Sequence, residues 1–402
     1  RKRVNPPTTQ LSKSITLSET HDNSGKITGY SLDQWDARYS LKLALTNLFH
    51  QNNEMSVKHL ESAYESLTLL AGDIPLAACY NDESAVLLWH QTRQLLDILT
   101  INIVREYLYL ELANKAYRRF DNHLLNVMSI IKKKSIDSKS YAAYNWLSIQ
   151  FEWFGELCVM ADEYIVPVDK PLLNDFNFGA LAMPQPGYVF LQSVNFSRIA
   201  KGKTESMALA NKIIDKPIKE KLILLEKDAK AFLETKDISK NVVLKYDDGA
   251  FEFFDCYLSL PVEKQVHFPF HQKLIVLLQK ASVSFMKAKA NDFERSISYI
   301  NFQLGEENYC LGNSEKAIEY YEECVGYYKQ DNWRTILVCI LYKLVCSLAK
   351  VKKWNALIMY MLELAIVDEI FYTPEIKRLL NEMEIQDLLS FEEGKELPLI
   401  NI

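Results

Sequence analysis

LGEENYCLGNSEKAIEYYEECVGYYKQDNWRTILVCILYKLVCSLAKVKKWNALIMYMLELA, residues Leu304–Ala365, is the stretch whose reading decides the fold. It divides into two helical hairpins, and the second echoes the first. Ala317 and Tyr321 open the second helix of the first hairpin. Ala356 and Tyr360 stand in the same relation in the next, since 356 − 317 = 39 and 360 − 321 = 39. A small residue followed four positions later by an aromatic one is what paired helices need. The small side chain lets two backbones approach, and the ring fills the space one turn on.

Leu304, Gly305 and Gly312 add the first-helix and turn positions of a tetratricopeptide-type repeat. Asn308 and Lys329 depart from that pattern, where an aromatic and a proline are usual. The repeat is therefore TPR-like without being a consensus copy.

An apolar share of 49% supplies a continuous core, and only 12 glycines and 12 prolines punctuate the 402 residues. Both facts predict long helices in preference to a many-stranded sheet. With 46 basic and 52 acidic residues the formal charge is −6, which argues against nucleic acid or anionic lipid as the dominant partner. The seven cysteines are an odd number with no C-x-x-C pair, so they read as reduced, buried thiols of a cytosolic protein. No uncharged apolar run reaches membrane-spanning length and no signal peptide precedes the fold, so any membrane association is expected to be peripheral. The chain starts at Arg1, which reads as an excerpt or a processed form.

Along the chain, residues 1–30 are polar and aperiodic, a flexible lead-in. Residues 31–165 hold the N-terminal hairpins. Ser31 or Asp33 caps the first helix, and the second runs from Met55 to Leu70 with Leu60, Ala63, Tyr64 and Leu67 on one face. Asn81 or Asp82 then caps a long helix through Trp89, Leu95, Ile98, Ile101, Val104 and Tyr107, from which a helix with Ala116 and Phe120 returns. Residues 166–270 form a loop-rich middle, with prolines at 167, 171, 184 and 186, helices from Gly187 to Leu209 and from Pro217 to Thr235, and a possible small β-hairpin on Asp248-Gly249. Residues 271–390 carry the C-terminal TPR-like hairpins and a last helix that starts at Thr373-Pro374. The predicted class is all-α, an elongated solenoid of stacked hairpins.

No catalytic constellation emerges, and no cofactor or metal ligand is assigned. His267 and His271 are four apart, the spacing of two metal ligands on a helix face, but Pro269 lies between them and they read as a surface or loop pair. Gly202 lacks the strand and companion glycines of a phosphate loop. The lysines at 132–134 read as a solvated helix end. Tyr321, Trp333, Trp354 and Tyr360 fall at packing spacings and read as core.

Beyond generic repeat, four segments resemble the foie gras domain of subunit 11 of the transport protein particle (TRAPP). ARYSLKLALTNLFHQNNEMSVKHLESAYESL is similar to the family's opening pair, which ends in H-x-x-x-A-Y. In HQTRQLLDILTINIVREYLYLELANKAYRRFDNHL, residues Arg93, Asp97, Ile98, Tyr107, Leu108, Ala116, Phe120 and His123 stand at the positions of a second block. Gln150-Phe151-Glu152 and Pro186-Gly187-Tyr188 with Phe190 match the Q-F-E segment and the P-G-aromatic-x-aromatic signature. Tyr328 and Trp333 supply the closing YxxxxW element, and MLELA its ending. The resemblance spans Tyr39 to Leu380, with the segment 242–270 departing from the pattern.

The resemblance implies one helical domain of a cytoplasmic scaffold subunit, peripheral at early secretory pathway and Golgi membranes. Its partners would be other TRAPP subunits and, indirectly, a Rab-family GTPase, with exchange itself attributed to the small core subunits. The competing reading is an independent TPR-type adaptor that holds short peptides in a concave groove, and a hydrolase ranks last. An adaptor's inner helices repeat polar clamping residues, whereas YSLKLALTNLF and TILVCILYKLVCSLA are mostly apolar, which favours permanent packing.

The candidate interaction residues are Pro186, Gly187, Tyr188 and Phe190. The prolines hold the chain extended before a helix start, Gly187 permits close approach, and two rings follow. Those rings either plug a gap between neighbouring hairpins or present anchors to a partner subunit.

The register of the repeat yields a stability test. Placed at a close helix contact, Ala317→Leu should overpack the core and cost about 1–3 kcal/mol in thermal or denaturant unfolding. An unchanged midpoint would put the residue on the solvent face.

Overall fold

Gln51, Glu111, Gly312 and Lys352 all have left-handed backbones, with φ of 58°, 59°, 78° and 62°. Each sits in the turn of a helical hairpin in the computed structural model, which describes residues 32–74, 83–133, 141–162, 185–210, 268–288, 293–330 and 333–367. The same two hydrogen bonds close every one of these turns. The left-handed residue donates its N–H to the carbonyl three back, as Gln51 does to Leu48 and Gly312 to Tyr309. The next residue donates five back, as Asn52 does to Asn47 and Asn313 to Asn308. This is the Schellman arrangement, which satisfies the orphan carbonyls of a helix end. The carbonyl of that same next residue then starts the returning helix, accepting from Ser56, Ala116, Ala317 or Leu357.

Every described regular element is α-helical, and no strand occurs among the described residues. The helices divide between two compact units that meet in sequence at Gln185 and Pro186. The first holds α1 (Leu32–Phe49), α2 (Asn53–Asp73), α3 (Glu83–Tyr109), α4 (Ala113–Lys133) and α5 (Tyr141–Asp162). Here α1 packs on α2, α2 on α3, and α3 on both α4 and α5. The second holds α6 (Pro186–Ala210), α7 (Phe270–Lys287), α8 (Glu294–Cys310), α9 (Ser314–Gln330), α10 (Arg334–Val351) and α11 (Trp354–Val367), each packed on the next. Consecutive neighbour packing is the solenoid rule, in which each hairpin buries its apolar face against the one before. The hairpin expected at Asp248-Gly249, the helices expected from Pro217 and Pro374, the lead-in 1–30 and the loop 166–184 lie outside the described residues.

In the first unit, Asn52 caps α2 by accepting the Met55 N–H at 3.3 Å, and the expected face of Leu60, Ala63, Tyr64 and Leu67 is buried. On α1 the buried side chains are small, Ala37, Ser40 and Ala44, so the two backbones come close enough for Ser56 Oγ to donate to the Ala44 carbonyl at 3.0 Å. Asp33 lies inside the first turn of α1 and does not cap it. On α3 the expected stripe holds at Trp89 and Val104, which are buried, and is corrected at its centre: Leu95 and Ile98 face solvent, while Leu96, Leu99 and Ile103 face the core. The inward stripe also takes Arg93 and Asp97, so hydrophobicity alone misplaced it.

In the second unit the Gly305–Tyr321 pair sets the contact between α8 and α9. A Cβ on Gly305 would lie 2.5 Å from the Tyr321 ring, so only glycine leaves room for it. The departures from the repeat pattern have local partners. Asn308 donates to the Leu304 carbonyl at 2.8 Å, and Lys329 pairs with Glu363 of α11.

The repeat distance is corrected from 39 to 40. The buried residues Leu357, Met361 and Leu364 follow Ala317, Tyr321 and Cys324, and 357 − 317 = 40. Ala356 and Tyr360 are one step off this register and half-buried. Ala317 is fully buried, as its spacing predicted. Trp333 is corrected too: it is 40% exposed beneath the Arg295 guanidinium, because its role is to start α10. Its N–H reaches the Tyr328 carbonyl at 3.2 Å, which explains the YxxxxW spacing as a helix-end bond. Of the described thiols, all free, Cys158 and Cys324 are buried as expected, but Cys339 is exposed.

Three of the four left-handed turn residues carry a Cβ. Replacing Lys352 by glycine should relieve that strain and stabilise the chain by about 0.5–1 kcal/mol, whereas Gly312→Gln should cost about 1–2 kcal/mol. Denaturant unfolding of the two variants checks both signs.

Candidate functional site

The corner expected to carry the interaction is the first turn of α6. Pro186 is its first residue, where a missing N–H costs nothing. Gly187 is a close-approach site as read: a Cβ there would lie 2.6 Å from the Phe285 ring of α7. Tyr188 is half-buried and meets Phe285 edge-on at 4.9 Å and Phe293 at 6.2 Å. Phe190 is 2% exposed. In this chain Pro186, Gly187 and Phe190 thus pack inward, which is the geometry of rings filling a gap. Of the four, Tyr188 keeps a substantial outward surface, and Pro184 lies outside the described residues.

A second constellation was visible only as separate letters. Asp97 of α3, His123 of α4 and Trp146 and Gln150 of α5 converge in the interior of the first unit. Asp97 and His123 are both 0% exposed. Asp97 Oδ2 accepts from Trp146 Nε1 at 2.9 Å and from Gln150 Nε2 at 3.0 Å, and its Oδ1 lies 3.1 Å from His123 Nε2. On the far side of the ring, Tyr64 Oη of α2 is 2.9 Å from His123 Nδ1. Burial holds the His123 pKa below its ordinary 6.5, against the upward pull of Asp97, and the nearby Arg93 and Arg119 lower it further. The imidazole is therefore neutral near pH 7. It donates from Nε2 to the Asp97 carboxylate and accepts the Tyr64 hydroxyl at Nδ1.

Two cations complete the cluster. Arg93, also buried, places its guanidinium 5.6 Å from the Trp89 ring and 5.2 Å from that of Trp146. Arg119 stacks over Tyr64 at 3.7 Å. The order carboxylate, imidazole, hydroxyl is that of a charge relay, but the chemistry it would need is absent. Tyr64 is buried, and burial pushes its phenol pKa up, the reverse of an activated nucleophile. Five side chains on four helices are instead held in one register by directional bonds in a low-dielectric interior.

The second unit has a smaller counterpart. His271 is not the surface or loop residue expected: it is buried in the first turn of α7. Its Nδ1 lies 2.6 Å from Glu307 Oε2 of α8, and Lys201 Nζ of α6 is 2.7 Å from its Nε2. Arg198 Nη2 reaches Glu307 Oε1 at 3.4 Å. Burial alone would raise the Glu307 pKa, but the His271 hydrogen bond and the Lys201 and Arg198 charges hold it below its ordinary 4.5. Its metal partner by spacing, His267, lies outside the described residues, and among those described no group of histidine, cysteine and carboxylate side chains could hold a metal ion. Gly202 is within α6 and forms no loop. Lys132 and Lys133 are exposed in the last turn of α4, as read, and Lys134 lies outside the described residues.

A family model described as Foie gras liver health family 1 matches residues 88–366, well over half of the chain. The chain belongs to the foie gras family. No curated protein matches it. The foie gras match takes in Arg93, Asp97, His123 and Gln150, four of the positions at which the sequence resembled the family, and these four meet Tyr64 and Trp146 in the buried cluster. Their role in this foie gras chain is to fix how α3, α4 and α5 pack. The sequence signal was the Arg93–Asp97 spacing of four, which puts a cation and an anion on one helix face. Nothing in the sequence marked Glu307 as the partner of Lys201 and His271, since they lie more than thirty residues apart.

The cluster predicts both a mutational cost and a pH dependence. Asp97→Ala would strand three donors and a buried cation, and should cost about 3–5 kcal/mol. In the unfolded chain His123 takes up a proton near pH 6.5, and in the folded chain only at lower pH. Between those values the unfolded state binds more protons, so stability should be flat above pH 6.5 and fall as pH drops below it. Glu307, whose folded pKa is depressed, adds a further loss as pH falls below 4.5. Denaturant melts across pH 4–8, with His123→Gln flattening the upper part of the fall, test the assignment.

Proposed function

We propose that this chain is a non-catalytic scaffold subunit of the TRAPP membrane-tethering and Rab exchange-factor complex, acting in ER-to-Golgi and Golgi traffic. The observation that carries the reading is the foie gras match over residues 88–366. The packing supports it. The charged residues that most resemble a site are enclosed and bonded to one another, so they stiffen helix contacts and face no substrate. Hairpins stacked one on the next hold surfaces at fixed separation, which is what a subunit bridging several partners requires.

In this role the chain contacts other TRAPP subunits directly and the Rab-family GTPase through them. Its place is cytoplasmic, at early secretory pathway and Golgi membranes, reached through the complex. No described helix is long and apolar enough to cross a membrane, which fits attachment through partners.

Tagged full-length chain, mixed in turn with each purified TRAPP subunit, should retain at least one of them through gel filtration. Retention of none, by a chain whose melt shows it folded, would remove the reading. Capture of short peptides in place of subunits would favour the adaptor.

A further inference from the structure

From Thr335 to Leu362 the chain has Lys343, Lys350, Lys352 and Lys353 and not one Asp or Glu. In a sequence whose formal charge is −6 this is a local reversal of sign. Two of the four lysines meet on one ring. α8 and α10 both pack on α9, and Tyr309 of α8 reaches across to α10. Lys350 Nζ is 3.8 Å from the centroid of that ring and Lys343 Nζ 5.1 Å. Lys352 and Lys353 are exposed in the turn that follows. The two ammoniums differ in what they hold. Lys343 takes the carboxylate of Glu306 at 3.3 Å, and Glu306 also accepts the Tyr321 hydroxyl. Lys350 is exposed and has only the ring: among the described residues no carboxylate pairs with it. A ring attracts the ammonium as a cation and leaves its three N–H donors to other acceptors. The helix dipole accounts for a lysine in the last turn of α10, but Lys343 lies well inside the helix, out of its reach.

We propose that the recess around Tyr309, between α8 and α10, binds a carboxylate-bearing peptide segment of a partner protein, with Lys350 and Lys343 as its cationic contacts. The proposal rests on the scaffold reading above for the source of that partner. Position and charge select the occupant. The Lys343 side chain is only 24% exposed, set back among its neighbours. A flat anionic lipid surface would stop at the turn lysines, whereas a single peptide side chain reaches in. A second copy related by a two-fold axis would bring the same lysines against one another. The chain's own next acids, Asp368 and Glu369, follow Val367, whose carbonyl accepts from Arg334 Nε at 2.6 Å. Arg334 is the first residue of α10, so Lys350 lies about 24 Å further along the helix. Exposed ion pairs contribute little one at a time and are screened by salt. The segment that fits therefore carries at least two acids close together.

Carbodiimide, which joins a lysine to a carboxylate only where the two already touch, tests this on the full-length chain in the assembled complex. Lys350 should be joined to an aspartate or glutamate of one subunit, with a second acid within a few residues, and the exposed Lys203 should not. Lys350→Glu should keep its melting midpoint and bind that subunit about tenfold less well, and lysine in place of the joined acid should restore binding. A fluorescent hexaglutamate peptide gives a test that needs no partner. It should bind the full-length chain, more weakly as salt rises, and about tenfold less well to Lys350→Glu. Lys350 joined only to residues 370–402, only to a second copy or to nothing would overturn the proposal. So would hexaglutamate binding that ignores Lys350→Glu, or flotation with phosphatidylserine vesicles that depends on Lys350. A lowered midpoint with binding unchanged would do the same, since Lys350 would then only staple α10 to α8. A chain that binds hexaglutamate through Lys350 but retains no subunit would sink the scaffold reading, whereas one that retains subunits without using Lys350 would sink the site.

Discussion

Two adjacent antiparallel helices must be joined by a chain that reverses within about three residues and leaves no carbonyl stranded. One left-handed residue does this, and the same bond pattern recurs at Gln51, Glu111, Gly312 and Lys352. Because the turn fixes both where one helix stops and where the next begins, it also fixes which side chains face each other. Ala317 faces the core because its N–H bonds back to Asn313, and Leu357 takes the equivalent place because its N–H bonds back to Lys353. The 40-residue repeat of buried positions is therefore set at the turns, and side-chain packing follows from it. Non-glycine residues tolerate the left-handed conformation because the two hydrogen bonds and the packing beneath outweigh a strain of about 1–2 kcal/mol.

Apolar packing alone leaves such an array free to slide, since one greasy ridge fits several grooves nearly as well as another. The cluster around Asp97 removes that freedom in the first unit, and Glu307 has a like role in the second. Hydrogen bonds are short and directional, so a shift of α4 along α3 by one turn would break His123 from Asp97 and from Tyr64 together. A stranded buried carboxylate is far more costly than a slightly looser leucine contact. The charged side chains thus specify the register that the hydrophobic ones stabilise.

Much of this was legible in the sequence, for reasons that can be named. The α2 face of Leu60, Ala63, Tyr64 and Leu67 was readable because the buried positions of that helix, Ser56 apart, are apolar or aromatic. The ends of α6 lie within a residue of expectation, thanks to the break that Pro186 marks before the helix. The α3 face was not readable, because an inward stripe containing Arg93, Asp97 and Thr100 looks polar until its partners are known. Three turns carry Gln, Glu or Lys where glycine would have announced them, so spacing alone puts the repeat one residue short of its 40-residue period. The corner at Pro186 was legible as a close approach, but not that Phe285 would be the residue approaching, because that pairing spans nearly a hundred residues.

The indoles are distributed unevenly in a way that makes the chain its own optical reporter. Trp89 and Trp146 are enclosed in the first unit, whereas Trp35 and Trp153 of that unit and Trp333 and Trp354 of the second keep contact with solvent. Emission at the blue edge of the spectrum therefore belongs to the first unit. Trp146 also hydrogen-bonds Asp97 and lies 5.8 Å from the His123 ring, close enough for a protonated imidazole to quench it. The blue-edge emission thus reports the protonation of a histidine that no solvent-borne probe can touch, and follows the opening of the first unit without any label.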